Sequence, residues 1–233
     1  MHPLDNIIWQ ALTTRQAHLA ESSDSARRFI PEISPLAALA APTGEAYDSL
    51  HHLVSAGDIV GLFLEKPYSP VTGWSLLRTA PLLQMIHENG SHPESNHSQR
   101  QACQSYDFVP LGTADVPEML ALTKMTEPGP FNSRTHELGT YLGIRGEGKL
   151  VAMAGERMKV PGHTEVSAVC THPDYTGRGY ARSLMLEIMQ RIRGRGETPF
   201  LHVRGDNVRA IELYRKLGFR DRLRGHYAVL QRE

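Results

Sequence analysis

A glycine-containing loop near residue 178 has the composition of an anion-binding turn. It reads TGRGYA over residues 176–181 and joins an apolar strand candidate, residues 166–171, to an amphipathic helix, residues 180–193. Small residues let successive backbone N–H groups point at one anion, and the helix adds its free N–H groups and the positive end of its dipole. Arg178 and Arg182 add charge. The segment could therefore hold a pyrophosphate.

Taken alone, this loop is a weak signal. Its spacing matches neither a Walker loop nor the three-glycine dinucleotide fingerprint. A plain strand-to-helix connection, in which the glycines only satisfy turn geometry, explains it equally well.

A second segment, about 25 residues further along, changes this interpretation. It reads FLHVRGDNVRAIELYRKLGF over residues 200–219, a strand followed by a helix that Asn207 caps and Gly218 closes. Together, SAVCTHPDYTGRGYA and DNVRAIELYRKLGF resemble the two motifs of the GCN5-related N-acetyltransferases, the GNAT superfamily, and of its FR47-like branch in particular. The resemblance covers residues 106–233. Thr176 departs from the Gln or Arg that usually opens the family's loop.

The resemblance implies acetyl-CoA as the cofactor and assigns positions to it. Backbone groups of Val169, Cys170 and Thr171 would contact the pantetheine arm and the acetyl carbonyl. Asn207 would contact the cofactor arm, and Tyr214 would lie near the thioester sulfur. The residues that would wrap the pyrophosphate are Thr176, Gly177, Arg178, Gly179, Tyr180, Ala181 and Arg182.

Acetyl transfer to an amine needs a polarised carbonyl, a proton for the leaving thiolate and a neutral nucleophile. Backbone N–H groups beside Val169 and Cys170 could polarise the carbonyl, and Tyr214 could donate the proton. Glu165 opens the central strand eleven residues before Thr176, and it is the candidate general base. Glu156, Glu127 and a water chain are the alternatives.

Three further features receive weaker interpretations. Cys170 as a covalent nucleophile is disfavoured because no His-Asp arrangement accompanies it, and His172 is expected to be a turn residue. No histidine or cysteine spacing suggests a metal ligand set, so no metal is predicted. Residues 126–131, TEPGPF, form a stiff loop in which Glu127 and Phe131 would meet the acceptor, or simply a rigid turn.

Composition sets the broad class. The 233 residues are 40% hydrophobic and 21% charged, as in an ordinary globular protein. The net charge of zero argues against a nucleic-acid partner, and no apolar run approaches the length of a membrane span. Residues 1–103 carry a net charge of −4 and residues 104–233 a net charge of +4. With two cysteines and no secretory signal pattern, a cytoplasmic protein is expected.

The fold is predicted as α/β (α+β): a GNAT-like mixed, mainly antiparallel twisted sheet flanked by helices. A polar segment at residues 88–105 divides an N-terminal α/β half, 1–103, from an acetyltransferase domain, 104–233. The first half could be a degenerate copy of the fold, a lid over the acceptor site or the surface of a homodimer.

The expected function is acetyl-CoA-dependent N-acetylation of a primary amine, either a small molecule or an amino acid, by direct attack in a ternary complex. A protein N-terminus is another acceptor left open. The alternative is a catalytically weak acyl-CoA-binding module that acts through a partner.

Overall fold

The structure is a computed structural model, and it describes residues 2–87 and 106–233. The predicted linker at residues 88–105 lies outside the described residues. The division of the chain at residue 103 therefore stays a prediction.

The described residues form one sheet of eleven strands. Its order is β1-β2-β3-β4-β11-β5-β10-β9-β8-β7-β6. Eight neighbouring pairs are antiparallel, and two, β3–β4 and β9–β10, are parallel. The strands are β1 (Ala20–Ser22), β2 (Ala26–Phe29), β3 (Leu36–Leu39), β4 (Ile59–Leu64), β5 (Trp74–Ile86), β6 (Val109–Leu111), β7 (Tyr141–Gly146), β8 (Lys149–Val160), β9 (His163–Thr171), β10 (Thr198–Arg204) and β11 (Arg220–Arg232).

Helices cover both faces of this sheet. They are α1 (Ile7–Thr13), α2 (Gly44–Leu53), α3 (Val116–Thr126), α4 (Tyr180–Gly194) and α5 (Val208–Lys216). One face packs α4 and α5 against β5 and β10, while α1 and α3 lie on the opposite face. The predicted α/β class, with a mainly antiparallel sheet flanked by helices, is confirmed. None of the helices in the described part of the chain is long and apolar enough to cross a bilayer.

Strand β5 joins the two predicted halves. It comes from the first half, yet it lies between β10 and β11, which both come from the second. Residues 82–86 pair antiparallel with β10, and the whole strand pairs with β11. Both neighbours of β5 come from the second half, and β5 separates two strands of that half. Each half therefore needs the other to complete the backbone hydrogen bonds of its part of the sheet.

Local signals placed several elements correctly. The apolar run IVGLFL forms strand β4, and Gly148 and Gly162 turn the β7–β8 and β8–β9 hairpins with φ values of +79° and +75°. Asn207 caps α5 through a 3.1 Å bond from the Ala210 N–H to its Oδ1. The short strands β1, β2 and β3 had no sequence signal, because they are only three or four residues long and form through tertiary pairing.

The position of β5 predicts unequal costs for two leucines in that strand. Leu83 is 1% exposed and packs under α4 and α5, whereas Leu77 is 53% exposed. Leu83→Ala should lower the free energy of unfolding by about 2–5 kcal/mol because it leaves a cavity, and Leu77→Ala by less than about 1 kcal/mol. Urea unfolding followed by circular dichroism checks both values. Equal losses in the two variants would contradict this packing.

Candidate active site

A wedge opens between β9 and β10. The two strands pair in parallel only from Thr198–His163 to Phe200–Glu165. Beyond Glu165, β9 pairs only with β8, and beyond Phe200, β10 pairs only with β5. The edge of β9 that faces the wedge therefore has no strand partner over residues 166–171 in the described structure, and the backbone groups that point away from β8 are available to a ligand.

A β-bulge shapes that edge. Ser167 pairs with Gly155 and Cys170 with Met153, so that Ala168 and Val169 together oppose one residue of β8. Ala168 has a φ of +52°, a left-handed conformation that is uncommon for a residue other than glycine. Such a bulge redirects the backbone locally and often lies beside a functional site. Thr171, at the end of β9, has a buried hydroxyl oxygen without a hydrogen-bond partner in the described residues.

The glycine loop lies at the open end of the wedge and leads into α4. Gly177 and Gly179 have φ values of +78° and +80°, and a Cβ at Gly177 would meet nothing within 4 Å. Gly179 is the N-cap of α4, which therefore starts without a side-chain cap and with no acidic residue in its first turn. An uncapped N-terminus of a 15-residue helix, beside an open glycine turn, is suited to an anion.

Aromatic contacts hold the loop in place. The Arg178 guanidinium lies 4.6 Å from the centre of the Tyr175 ring. Tyr106 donates its hydroxyl to the carbonyl of Arg178, and its ring packs edge-on against Tyr180 at 4.9 Å. The Thr176 hydroxyl donates to the carbonyl of Pro173 at 3.0 Å, so its proton is used inside the turn.

Tyr214 lies on α5, half-buried against the core under α4 and α5. Burial raises the pKa of its phenol to about 12, so it stays protonated at neutral pH. Its ring contacts Phe219 with 6.2 Å between the centroids. The same helix begins beside Asn207, whose exposed side chain lies just beyond the end of β10.

Glu165 is fully buried at the apex of the wedge. Its carboxylate accepts two hydrogen bonds from Arg157, at 2.6 and 2.8 Å, and one from the Met158 N–H at 3.2 Å. Burial alone raises the pKa of this carboxyl, but the Arg157 charge and the bonds from Arg157 and His202 outweigh it and lower the pKa to about 2. A carboxylate so firmly ionised is a poor proton acceptor at neutral pH, which weakens the expectation that Glu165 is the general base.

His202 on β10 completes this buried polar cluster. Its Nδ1 lies 2.7 Å from Glu165, and its Nε2 lies 3.0 Å from Nε2 of Gln84. Gln84 also donates to Leu4 and accepts from Arg222, which orients its amide as a donor toward His202. His202 is therefore the neutral tautomer that donates from Nδ1 and accepts at Nε2. Burial lowers the pKa of His202 and favours this neutral form.

Sequence reasoning missed His202 and Arg157. The signal available for His202 was a titratable residue between Leu201 and Val203 in a strand of the second motif. Alternation in that strand places His202 on the face opposite its apolar neighbours. The pairing with Glu165 depends on strand order, which no local pattern gives.

Three other residues considered for catalysis lie in positions that do not suit a nucleophile or a base. Cys170 is buried, and burial raises the pKa of its thiol to about 11, which disfavours a thiolate nucleophile. His172 opens a turn and accepts a bond from the Asp174 N–H, as expected for a turn residue. Glu156, an alternative base, is buried in ion pairs with Lys159 and Arg195.

The two predicted acceptor residues follow α3. Glu127 ends that helix with a φ of +45°, and it is exposed and close enough to Arg204 to raise the pKa of that guanidinium, after the larger effect of Asp206. Phe131 is half-buried against the Tyr141 ring, with 5.7 Å between centroids. Neither has another polar or ring contact that would assign it to an acceptor, so both roles stay predictions.

A cavity of about 350 Å³ lies on the face of the sheet that carries α1. Its walls come from both predicted halves: residues 5–7, Phe63 and Leu64 at the end of β4, Glu65 just after it, Leu82 and Gln84 of β5, His202, and two residues of β11. Within residues 2–87 and 106–233, no group of three or more His, Cys, Asp or Glu side chains could hold a metal ion.

Comparisons with known proteins agree with this geometry. Residues 141–228 match the family model described as FR47-like protein. A solved structure of a protein assigned to the GNAT family of acetyltransferases, from Novosphingobium aromaticivorans, is 40% identical and is covered completely, as is this chain, with a TM-score of 0.88. The chain therefore belongs to the GNAT family, as its two motifs predicted.

Two curated relatives match over shorter regions. N-alpha-acetyltransferase RimI of Mycobacterium tuberculosis is 38% identical over 100 residues, which are 40% of this chain and 62% of that protein. The ribosomal protein bS18-alanine N-acetyltransferase of Salmonella typhimurium is 29% identical over 133 residues, 52% of this chain and 86% of that enzyme. The match thus spans less than two thirds of the first of these relatives.

The buried ion pair predicts an acid-dependent stability. The pKa of Glu165 is depressed when folded, so its contribution is complete above its ordinary value of 4.5 and is lost as the pH falls toward 2. Glu165→Gln should lower the free energy of unfolding at pH 7 by about 3–5 kcal/mol, because Arg157 is left buried and unpaired. Urea unfolding at pH 7, 4 and 3 should show that the difference in free energy of unfolding between the wild type and Glu165→Gln decreases as the pH falls.

The exposed Glu147, in the turn between β7 and β8, is the control. Glu147→Gln should change stability by less than about 0.5 kcal/mol at each pH. A gap between wild type and Glu165→Gln that stays constant from pH 7 to pH 3 would contradict the assigned pKa.

Proposed function

We propose that the protein is an acetyl-CoA-dependent N-acetyltransferase that transfers the acetyl group directly to a small primary amine. The observation that carries the proposal is the wedge: the unpaired, bulged edge of β9 leads to an open glycine loop and an uncapped helix N-terminus. Family membership adds the reaction class. Bound acetyl-CoA supplies the acetyl group as an activated thioester.

The wedge fits the donor along its length. Backbone groups of Val169, Cys170 and Thr171 line the unpaired edge, and the unpartnered hydroxyl of Thr171 offers an additional hydrogen bond. Asn207 lies across the wedge, where its amide can meet the pantetheine arm. At the open end, the pyrophosphate is held by backbone N–H groups of residues 177–181 together with Arg178 and Arg182.

Two groups of this chain stabilise the negative charge that develops on the donor during transfer. The backbone N–H of Val169, inside the bulge, polarises the acetyl carbonyl in this proposal, whereas the N–H of Cys170 is directed at Met153 of β8. Tyr214 Oη keeps its proton at neutral pH and donates it to the leaving sulfur. The hydroxyl must face the wedge in this proposal, while the ring stays packed against the core.

The proton of the attacking amine goes to Nε2 of His202 in this proposal, which requires the Gln84 N–H that Nε2 accepts to turn away from it first. That nitrogen is an acceptor in the neutral tautomer, and it lies at the wall of the cavity on the α1 face. Glu165 then acts as a positioning residue, because its bond to Nδ1 fixes the tautomer and favours the protonated imidazole that forms. In this arrangement Glu165 contributes to the reaction by orienting His202 and is not itself the general base.

One other class of acceptor and one other function compete with this proposal. RimI is named an N-alpha-acetyltransferase, and the other relative is named for an alanine of ribosomal protein bS18, so a peptide beginning with alanine is the competing acceptor. The competing function is an acyl-CoA-binding module with little turnover. Release of CoA thiol from acetyl-CoA across a panel of amines and one alanine-terminated peptide separates the three.

Tyr214→Phe should lower kcat by about 10²- to 10⁴-fold, because the leaving thiolate loses its proton donor, and should leave the Kd for acetyl-CoA nearly unchanged. Thiol release gives kcat, and titration calorimetry gives the Kd. Tyr47→Phe is the matched control, since Tyr47 has a pKa also raised to about 12 by burial but lies on α2. Unchanged turnover in Tyr214→Phe would remove the proton donor from the mechanism.

The proposed base predicts an acid limb in the pH profile. In the wild type, kcat/KM should fall as the pH drops through the pKa of His202, which lies below the ordinary value of 6.5. His202→Ala should lose most activity, and added imidazole should restore part of it, which a purely structural defect would not allow. Thermal unfolding confirms that the variant folds. An intact acid limb in a folded His202→Ala variant would exclude this base.

A further inference from the structure

The cavity on the α1 face shares a wall with the wedge. His202 lies on β10, between the wedge on one side and β5 on the other. Its imidazole contacts Glu165 at the apex of the wedge and Gln84 on β5, and it lines the cavity. A molecule in this cavity must therefore extend its amino group past His202, over about the width of one strand or 5 Å, to reach the wedge.

The polar side chains around this cavity offer mainly hydrogen-bond acceptors. Asp5 and Glu65 contribute carboxylates, and Asn6 has its amide nitrogen committed to the carbonyl of Leu39 at 2.8 Å, which leaves its oxygen. Gln84 uses its nitrogen on Leu4 and His202, and its oxygen accepts from Arg222. A ligand rich in N–H donors suits such a lining.

The charge at the cavity is negative. Arg222 pairs with Asp5, and His202 is neutral, so these groups cancel or carry no charge. Glu65 is exposed at the cavity wall and has no ion-pair or hydrogen-bond partner in the described part of the chain. An ammonium group is attracted there, whereas a carboxylate is repelled.

The remaining walls are apolar. Ile7, Leu82 and Leu223 line the cavity, and the Phe63 ring lies 4.8 Å from the His202 ring. A volume of about 350 Å³ is at the lower end of small-molecule sites. These walls suit a compact hydrocarbon or aromatic body beside the ammonium group.

We propose that this cavity is the acceptor site and that it selects small amines with an apolar body and no carboxylate group. The inference rests on the proposed acetyl transfer, and it narrows the acceptor from amines in general to amines without an acidic group. It also gives the first half of the chain a role, because Asp5, Phe63 and Glu65 come from that half and set acceptor specificity.

Phenethylamine and phenylalanine test the charge argument, since they differ only in the carboxylate. The wild type should acetylate phenethylamine with a kcat/KM at least 10-fold above that of phenylalanine. Glu65→Gln should raise the KM for phenethylamine about 5- to 10-fold without changing the KM for acetyl-CoA. Glu45→Gln, on α2 outside the cavity, is the matched control and should change neither value.

Leu82→Trp tests the location, because the larger side chain fills the cavity. It should abolish phenethylamine binding measured by calorimetry in the absence of acetyl-CoA, while acetyl-CoA still binds. Equal or better use of phenylalanine, or normal phenethylamine binding in a folded Leu82→Trp variant, would overturn the inference. Phenethylamine binding that Leu82→Trp abolishes, with no CoA release from any amine, would instead refute the proposed transferase function and leave the binding site standing.

Discussion

The wedge depends on the hydrogen bonds that hold β10 from its other side. Strand β10 leaves β9 after three paired residues, which would expose a row of backbone groups on both edges if nothing else bound it. Antiparallel pairing with residues 82–86 of β5 satisfies the far edge and fixes the strand's direction. The near edge can then stay open. The wedge is thus a gap maintained by a strand that comes from a different part of the chain.

A row of buried polar side chains crosses the same region. It runs from Arg157 through Glu165, His202 and Gln84 to Arg222, over five neighbouring strands. Each member has a partner, which is the condition for burying charge and amide groups in a sheet without a large penalty. Because every bond in the row constrains the next, the orientation of His202 is set by residues on both sides of the wedge and from both halves.

Short-range signals were sufficient for the parts of the site that a few consecutive residues define. The turn at Gly177 and Gly179 and the cap at Asn207 are local, and their sequence patterns predicted them. The family resemblance predicted the fold correctly, and acetyl-CoA as the donor stays a prediction. The insertion of β5 and the pairing of Glu165 with Arg157 could not be predicted, because both depend on residues brought together by strand order.

The same limit applies to Glu165 itself. Its position beside the motif suggested a base, but the pKa is decided by Arg157 and His202, on strands either side of it. The division at residue 103, the cytoplasmic location and the homodimer stay predictions, as do the roles of Glu127 and Phe131.

The position of β5 also bears on how such a chain can change over evolutionary time. Its pairs with β11 join residues roughly 130 to 160 positions apart, and the parallel wedge forms only when both ends of that pairing are present. Recombination that exchanged either half for an unrelated one would remove an interior strand of the other. The two halves must therefore be inherited together, and acceptor preference can diversify only by substitutions within a pair that is already joined.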